Sequence, residues 1–111
     1  MAIDEYVLDK AVYLSYQEDL LIDQVRESKK EEFNTLVKRA IKNELRKDDA
    51  TILQMYFFWG YSQAEIARMF NCNRSTICKR INKSLDTLYE KLKYAAEYRF
   101  GVTLVKEGAE G

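Results

Sequence analysis

From residue 1 to residue 100 the chain contains no proline and a single glycine, Gly60. Proline breaks a helix by removing a donor and clashing with the preceding turn, and glycine weakens one through backbone entropy. A stretch this long with one such stop leaves helix as the default state. The other glycines are Gly101, Gly108 and Gly111, so the character of the chain changes only at its end. The expected fold class is all-α, a small helical domain of about five helices around one core.

Apolar spacing places those helices. Val7, Ala11, Leu14, Leu21 and Val25 mark an amphipathic helix from about Asp4 to about Val25, with an acidic outer face and Glu18 interrupting the rhythm. Ser28 and Glu31 have the form of a capping box, and Phe33, Leu36, Val37, Ala40, Ile41 and Leu45 follow at helical spacing. A third helix begins near Asp48 or Asp49, whose carboxylates suit a helix N-terminus, and stops at Gly60. Its aromatic run, Tyr56, Phe57, Phe58 and Trp59, is read as core. The alternative, a stacking platform for single-stranded bases, normally needs an open sheet, and none is expected.

Residues 62–88 have the spacing of a helix-turn-helix. Ser62 and Glu65 form a capping box, after which Ile66, Ala67 and Phe70 face inward. Ala67 suits a near-perpendicular helix crossing, where there is room for a methyl group and little more. Asn71 falls where the helix must stop in the left-handed conformation, and Asn73 can cap the next helix. Ile77, Ile81, Leu85, Leu88 and Leu92 then form an apolar stripe. The opposite face carries Arg74, Ser75, Cys78, Lys79, Asn82 and Lys83. The helix continues through Tyr94 and Tyr98 to Gly101, so its far half is expected to pack on the N-terminal helices or on another copy.

Charge separates a DNA-binding motif from an ordinary helical hairpin. Formal net charge is zero, so the electrostatics must be judged locally. Residues 1–35 carry nine acids and four bases. Between residues 68 and 93 the bases are Arg68, Arg74, Lys79, Arg80, Lys83, Lys91 and Lys93, against Asp86 and Glu90. This asymmetry is what a DNA-facing end and a second, non-DNA end would show.

Other classes find little support. There is no histidine, no glycine-rich phosphate loop, and no base beside either cysteine, so neither an enzyme nor a cofactor is expected. Cys72 and Cys78 alone are too few for a zinc site, and without a signal peptide they fit a reducing cytoplasm. Cys72 reads as a small core residue and Cys78 as outward-facing. No apolar run is long enough to span a bilayer, so no membrane role is expected.

From about Asp48 to Leu92 the chain resembles region 4 of bacterial sigma factors, nearest the extracytoplasmic-function group. Trp59, Gly60, Tyr61, Ser62, Glu65, Ile66 and Ala67 stand at the places of that group's lead-in to the motif. Ser75, Thr76, Ile77, Cys78, Lys79, Arg80 and Ile81 align without a gap on its second helix. Repressor-type recognition helices tend to space apolar residues three apart, whereas Ile77 and Ile81 lie four apart with Arg80 between them. The invertase and resolvase families carry a similar motif. The resemblance implies recognition of the promoter −35 element, with Arg74, Ser75, Thr76, Cys78, Lys79, Arg80, Asn82 and Lys83 at the DNA. Lys79 and Asn82 would read bases, and Arg80 and Lys83 would bind backbone.

Residues 1–47 are shorter than the domain that melts the −10 element and lack its aromatic motif. The expectation is therefore a free-standing region-4-like regulator of double-stranded DNA, with RNA polymerase and a homodimer as further candidate partners. Its parts would be an N-terminal helical pair over 1–47, a DNA-binding domain over 48–100 and a flexible tail over 101–111. The competing expectation is an interaction module that binds polymerase, an anti-sigma partner or itself without strong DNA binding.

Overall fold

In the computed structural model, residues 5–17 and 29–108 are described, and the side chains of residues 29–31 are not. A short strand β1 (Glu5–Val7) leads into α1 (Leu8–Gln17). Helices α2 (Lys29–Glu44) and α3 (Lys47–Leu53) follow, and α3 widens without a break into a π-helical turn at Gln54–Phe58. Then come α4 (Gln63–Met69), the long α5 (Arg74–Phe100) and a strand β2 (Thr103–Val105). The five helices agree with the all-α expectation, to which the structure adds one parallel strand pair. Tyr6 lies opposite Leu104 in that pair.

Helix α5 is the spine. Ile77, Ile81, Leu85, Leu88, Leu92 and Ala96 are buried along one side of it, at the spacing that keeps a single helical face inward. Its first half receives α4, whose buried apolar side chains are Ile66 and Ala67. Its second half lies beside α2, which runs antiparallel to it: Phe33 meets Phe100 edge-on at 5.4 Å, and Glu44 pairs with Lys91 at 3.6 Å. Among the described residues, buried side chains from α1, α2, α3, α4, α5 and both strands join one apolar cluster.

The first helix begins at Leu8, later than the expected start near Asp4. Val7 belongs to β1, and the inward positions of α1 are Leu8, Ala11, Val12 and Ser15. These are spaced i, i+3, i+4 and i+7, whereas the expected stripe of Val7, Ala11 and Leu14 counted a strand residue as helical. The Ser15 hydroxyl donates to the Val12 carbonyl at 2.8 Å, which satisfies its polar group inside the core. Glu18, Leu21, Val25 and Ser28 lie outside the described residues.

The strand pair has a physical reason that local pattern does not display. Three residues are too few for alternation to register, and the two strands are joined by nearly the whole chain. Tyr6 and Leu104 hold the pair to the core as buried side chains. The Tyr6 hydroxyl donates to Asn34 Oδ1 at 2.6 Å, and its ring lies 5.4 Å from that of Phe33. The segment expected to be a flexible tail thus contains β2, tied to the opposite end of the chain.

The aromatic run is only partly core. Tyr56 and Phe57 pack against the apolar cluster, and Phe58 meets the rings of Tyr13 and Tyr16 at 5.8 Å and 6.4 Å. Trp59 is 61 % exposed, against expectation. The π-helical turn shifts the side-chain sequence around the axis, so four consecutive aromatics do not share one buried side.

Two outcomes follow from this packing. Ala67→Leu should lower the unfolding free energy by about 1–3 kcal/mol, because the added carbons overfill the contact between α4 and α5. Urea denaturation reads this directly, and an unchanged midpoint would mean the contact has spare room. Burial pushes the Tyr16 phenol from its ordinary 10.0 up to about 12, while its hydroxyl donates to the Ala50 carbonyl at 2.9 Å. The folded state holds that proton more tightly than the unfolded state does. The resulting stabilisation is complete below about pH 10 and is lost as pH rises toward 12. Thermal melts across that window should therefore show a steeper alkaline decline for the wild type than for Tyr16→Phe.

Candidate nucleic-acid interface

The approach to the motif is set by backbone geometry. Gly60 has φ +77°, and the amides of Trp59 and Tyr61 donate back to the Gln54 and Met55 carbonyls, each at 3.0 Å. This ends the π-helical turn and swings the chain into Ser62. The Ser62 hydroxyl accepts from the Glu65 amide at 3.1 Å, while Glu65 Oε1 accepts from the Ser62 amide at 2.9 Å. The capping box is therefore complete in both directions. Hydrogen bonds from the Ser62 backbone and then its hydroxyl hold the Glu65 carboxyl below its usual range.

The turn between α4 and α5 depends on Asn71, which takes φ +56°, the left-handed conformation its residue type tolerates. The Cys72 amide donates to the Ala67 carbonyl at 2.9 Å and closes the end of α4. Asn73 occupies the capping position of α5, and its carbonyl accepts from the amides of Thr76 and Ile77. Its side chain makes no capping bond, so the expected cap is right in position and differs in its means.

The structure divides the eight expected DNA-contact residues into two groups. Arg74, Ser75, Thr76, Lys79 and Lys83 are exposed. Ser75, Lys79 and Lys83 are four residues apart and rise along one side of α5. The other three lie on the flanks. Cys78 is only 8 % exposed, which overturns its outward placement. It neighbours Ile77 and Ile81, and a helix covered from several directions buries a wider arc than a simple two-face count allows.

Asn82 is half-buried, with Nδ2 3.5 Å from Cys78 Sγ. It therefore stands beside the open face, not in its middle. Arg80 leans the other way, where its Nε donates to Asp49 Oδ1 of α3 at 2.8 Å. Asp49 was expected only to favour the start of its own helix. It does lie in the first turn of α3, and it also anchors α5. Of the acids on the open side, Asp86 is paired with Lys106 from beyond β2 and Glu90 with Lys93.

Sequence reasoning did not find the groove beside this face. It encloses about 720 Å³, and its lining includes Tyr61, Ser62, Gln63, Arg74, Asp9 and Glu107. Ser62, Gln63 and Arg74 belong to the motif, and Tyr61 to its lead-in. Asp9 and Glu107 come from opposite ends of the chain, and no local signal brings them together.

A search of curated proteins and a search of solved structures each found no match. Residues 43–90, somewhat less than half of the chain, match the family model for sigma-70, region 4. That span runs from the end of α2 through the first half of α5 and includes both capped helices and the turn at Asn71. The geometry and the match agree: this part of the chain is similar to sigma-70 region 4, a DNA-binding helix-turn-helix.

Proposed function

We propose that the protein is a sequence-specific DNA-binding transcription regulator that works as a free-standing region-4-like module and places α5 in the major groove. The observation that carries this reading is the open side of α5, where Ser75, Thr76, Lys79 and Lys83 stand exposed with Arg74 at the helix start. A groove-reading helix needs donors that reach base edges from the middle of a face and cations that meet phosphates at its margins. Lys79 takes the central role, where its ammonium suits guanine O6 and N7, and Ser75 and Thr76 add hydroxyls on the same approach. Arg74 and Lys83 bind phosphate. Asn82 contributes from the flank, and Arg80 supports the helix through Asp49.

RNA polymerase is the protein partner this reading favours, and a reducing cytoplasm is the compartment. An interaction module without strong DNA affinity is the second reading. It draws on Tyr94 and Tyr98, which are 60 % and 76 % exposed and stack at 6.3 Å on the far half of α5. Sedimentation with and without duplex DNA separates the two, since a complex or dimer with no duplex affinity at low salt would favour the second.

For the first reading, a preferred duplex selected from a random pool is titrated by fluorescence anisotropy over a salt series. Lys79→Ala should weaken the preferred site by about 1–3 kcal/mol and blur the preference. Lys83→Ala should weaken all sequences alike and reduce the salt slope by about one ion. Arg80→Ala should act chiefly on stability, by about 1 kcal/mol or less for a partly exposed pair. Equal losses on selected and random duplexes for both lysine variants would overturn the assignment of Lys79 to bases.

A further inference from the structure

The chain beyond α5 is fastened at successive points. Gly101, at φ +68°, ends the helix, and the Val102 amide donates to the Ala96 carbonyl at 2.9 Å. Strand β2 then pairs with β1, and Lys106 pairs with Asp86 on α5. The amides of Glu107 and Gly108 donate to the two oxygens of Asp9, at 3.0 Å and 2.9 Å. Asp9 is 8 % exposed, so a carboxylate of α1 is committed to holding two successive amides. Hydrogen bonds to an ionised acceptor are among the stronger ones a fold can make.

Gly108 adds a steric requirement to this clamp. It takes φ +78°, and a Cβ built there would lie 2.5 Å from Asn82 Oδ1. The positive φ is what favours glycine there, since the Asn82 amide is the end of a side chain and can turn aside. The clamped segment therefore runs beside Asp86 and Asn82 of α5, along one flank of the open face. It also brings Glu107, an exposed residue, to the lining of the same groove as Arg74 and Ser62.

We infer that residues 106–108 form an autoinhibitory strap, which holds a carboxylate beside the DNA-facing end of α5 and covers the Asn82 flank. This rests on the DNA-binding reading. An acid fixed near the phosphate path repels the backbone at short range, where salt screens it least. While Asp9 grips the strap, duplex affinity is held down, and release takes the acid away from Arg74 and gives the bases access to Asn82.

Four variants of the full chain test this. Glu107→Gln keeps both backbone bonds to Asp9 and removes only the charge. Asp9→Asn and Gly108→Ala loosen the strap, and truncation after Lys106 removes it while leaving β2 in place. Duplex affinity is measured by anisotropy, and amide exchange at Glu107 and Gly108 is measured by NMR without DNA. Glu107→Gln should bind duplex about threefold more tightly with exchange unchanged. The other three should bind about three- to tenfold more tightly, and the two substitutions should also exchange faster at these amides.

Two results would overturn the proposal in distinguishable ways. If the wild type binds duplex and the variants bind no better or worse, the strap is not inhibitory and the DNA reading stands. If neither the wild type nor any released variant binds duplex at low salt, the DNA reading fails and the strap with it.

Discussion

The apolar stripe of α5 is the constraint on which the rest of the molecule depends. A helix of 27 residues is about 40 Å long, close to the 44 Å extent of the described residues. Ile77 and Ile81 fix its first turns against α4, while Leu92 and Ala96 belong to the half that lies beside α2. One rigid element therefore presents the exposed side chains at its N-terminal end and packs on α2 along its other half. The orientation of Lys79 and Lys83 is set by burial on the opposite side of the same helix.

The electrostatics follow from that division. A chain with no net charge can favour a polyanion only if its charges are sorted in space. Here two acids near the open face are engaged: Asp49 by Arg80 and Asp86 by Lys106. Engagement removes much of their repulsion, and Arg74, Lys79 and Lys83 share the local field with Glu107 on the groove. Both pairs are partly exposed, so their value lies in arranging charge more than in stability.

Legibility in the sequence tracked the range of the interaction. Gly60, the Ser62–Glu65 box, Asn71 and Gly101 are decisions made within a few residues, and each appears where the sequence placed it. The buried stripe of α5 was legible because its period matches the helix over many residues. The strand pair, the Asp9 clamp and the Arg80–Asp49 bond join positions from 31 to 99 residues apart, and short-range periodicity carries no record of them. Cys78 was misplaced because a two-face count of α5 cannot show how wide an arc of it is covered. The central part of the site was thus readable and its edges were not.

The pairing of β1 with β2 has a consequence for the order of folding. Helices α4 and α5 can dock through contacts close in sequence, whereas the strands meet only after nearly the whole chain has been ordered between them. Loop-closure entropy therefore favours an order in which the helical body forms before the strand pair closes over it. Segments completed last in this way are also drawn from the least stable part of a native structure. A fusion, tag or partner that engages the chain at β1 would be felt beside Arg74, on the far side of the sequence from where it was attached.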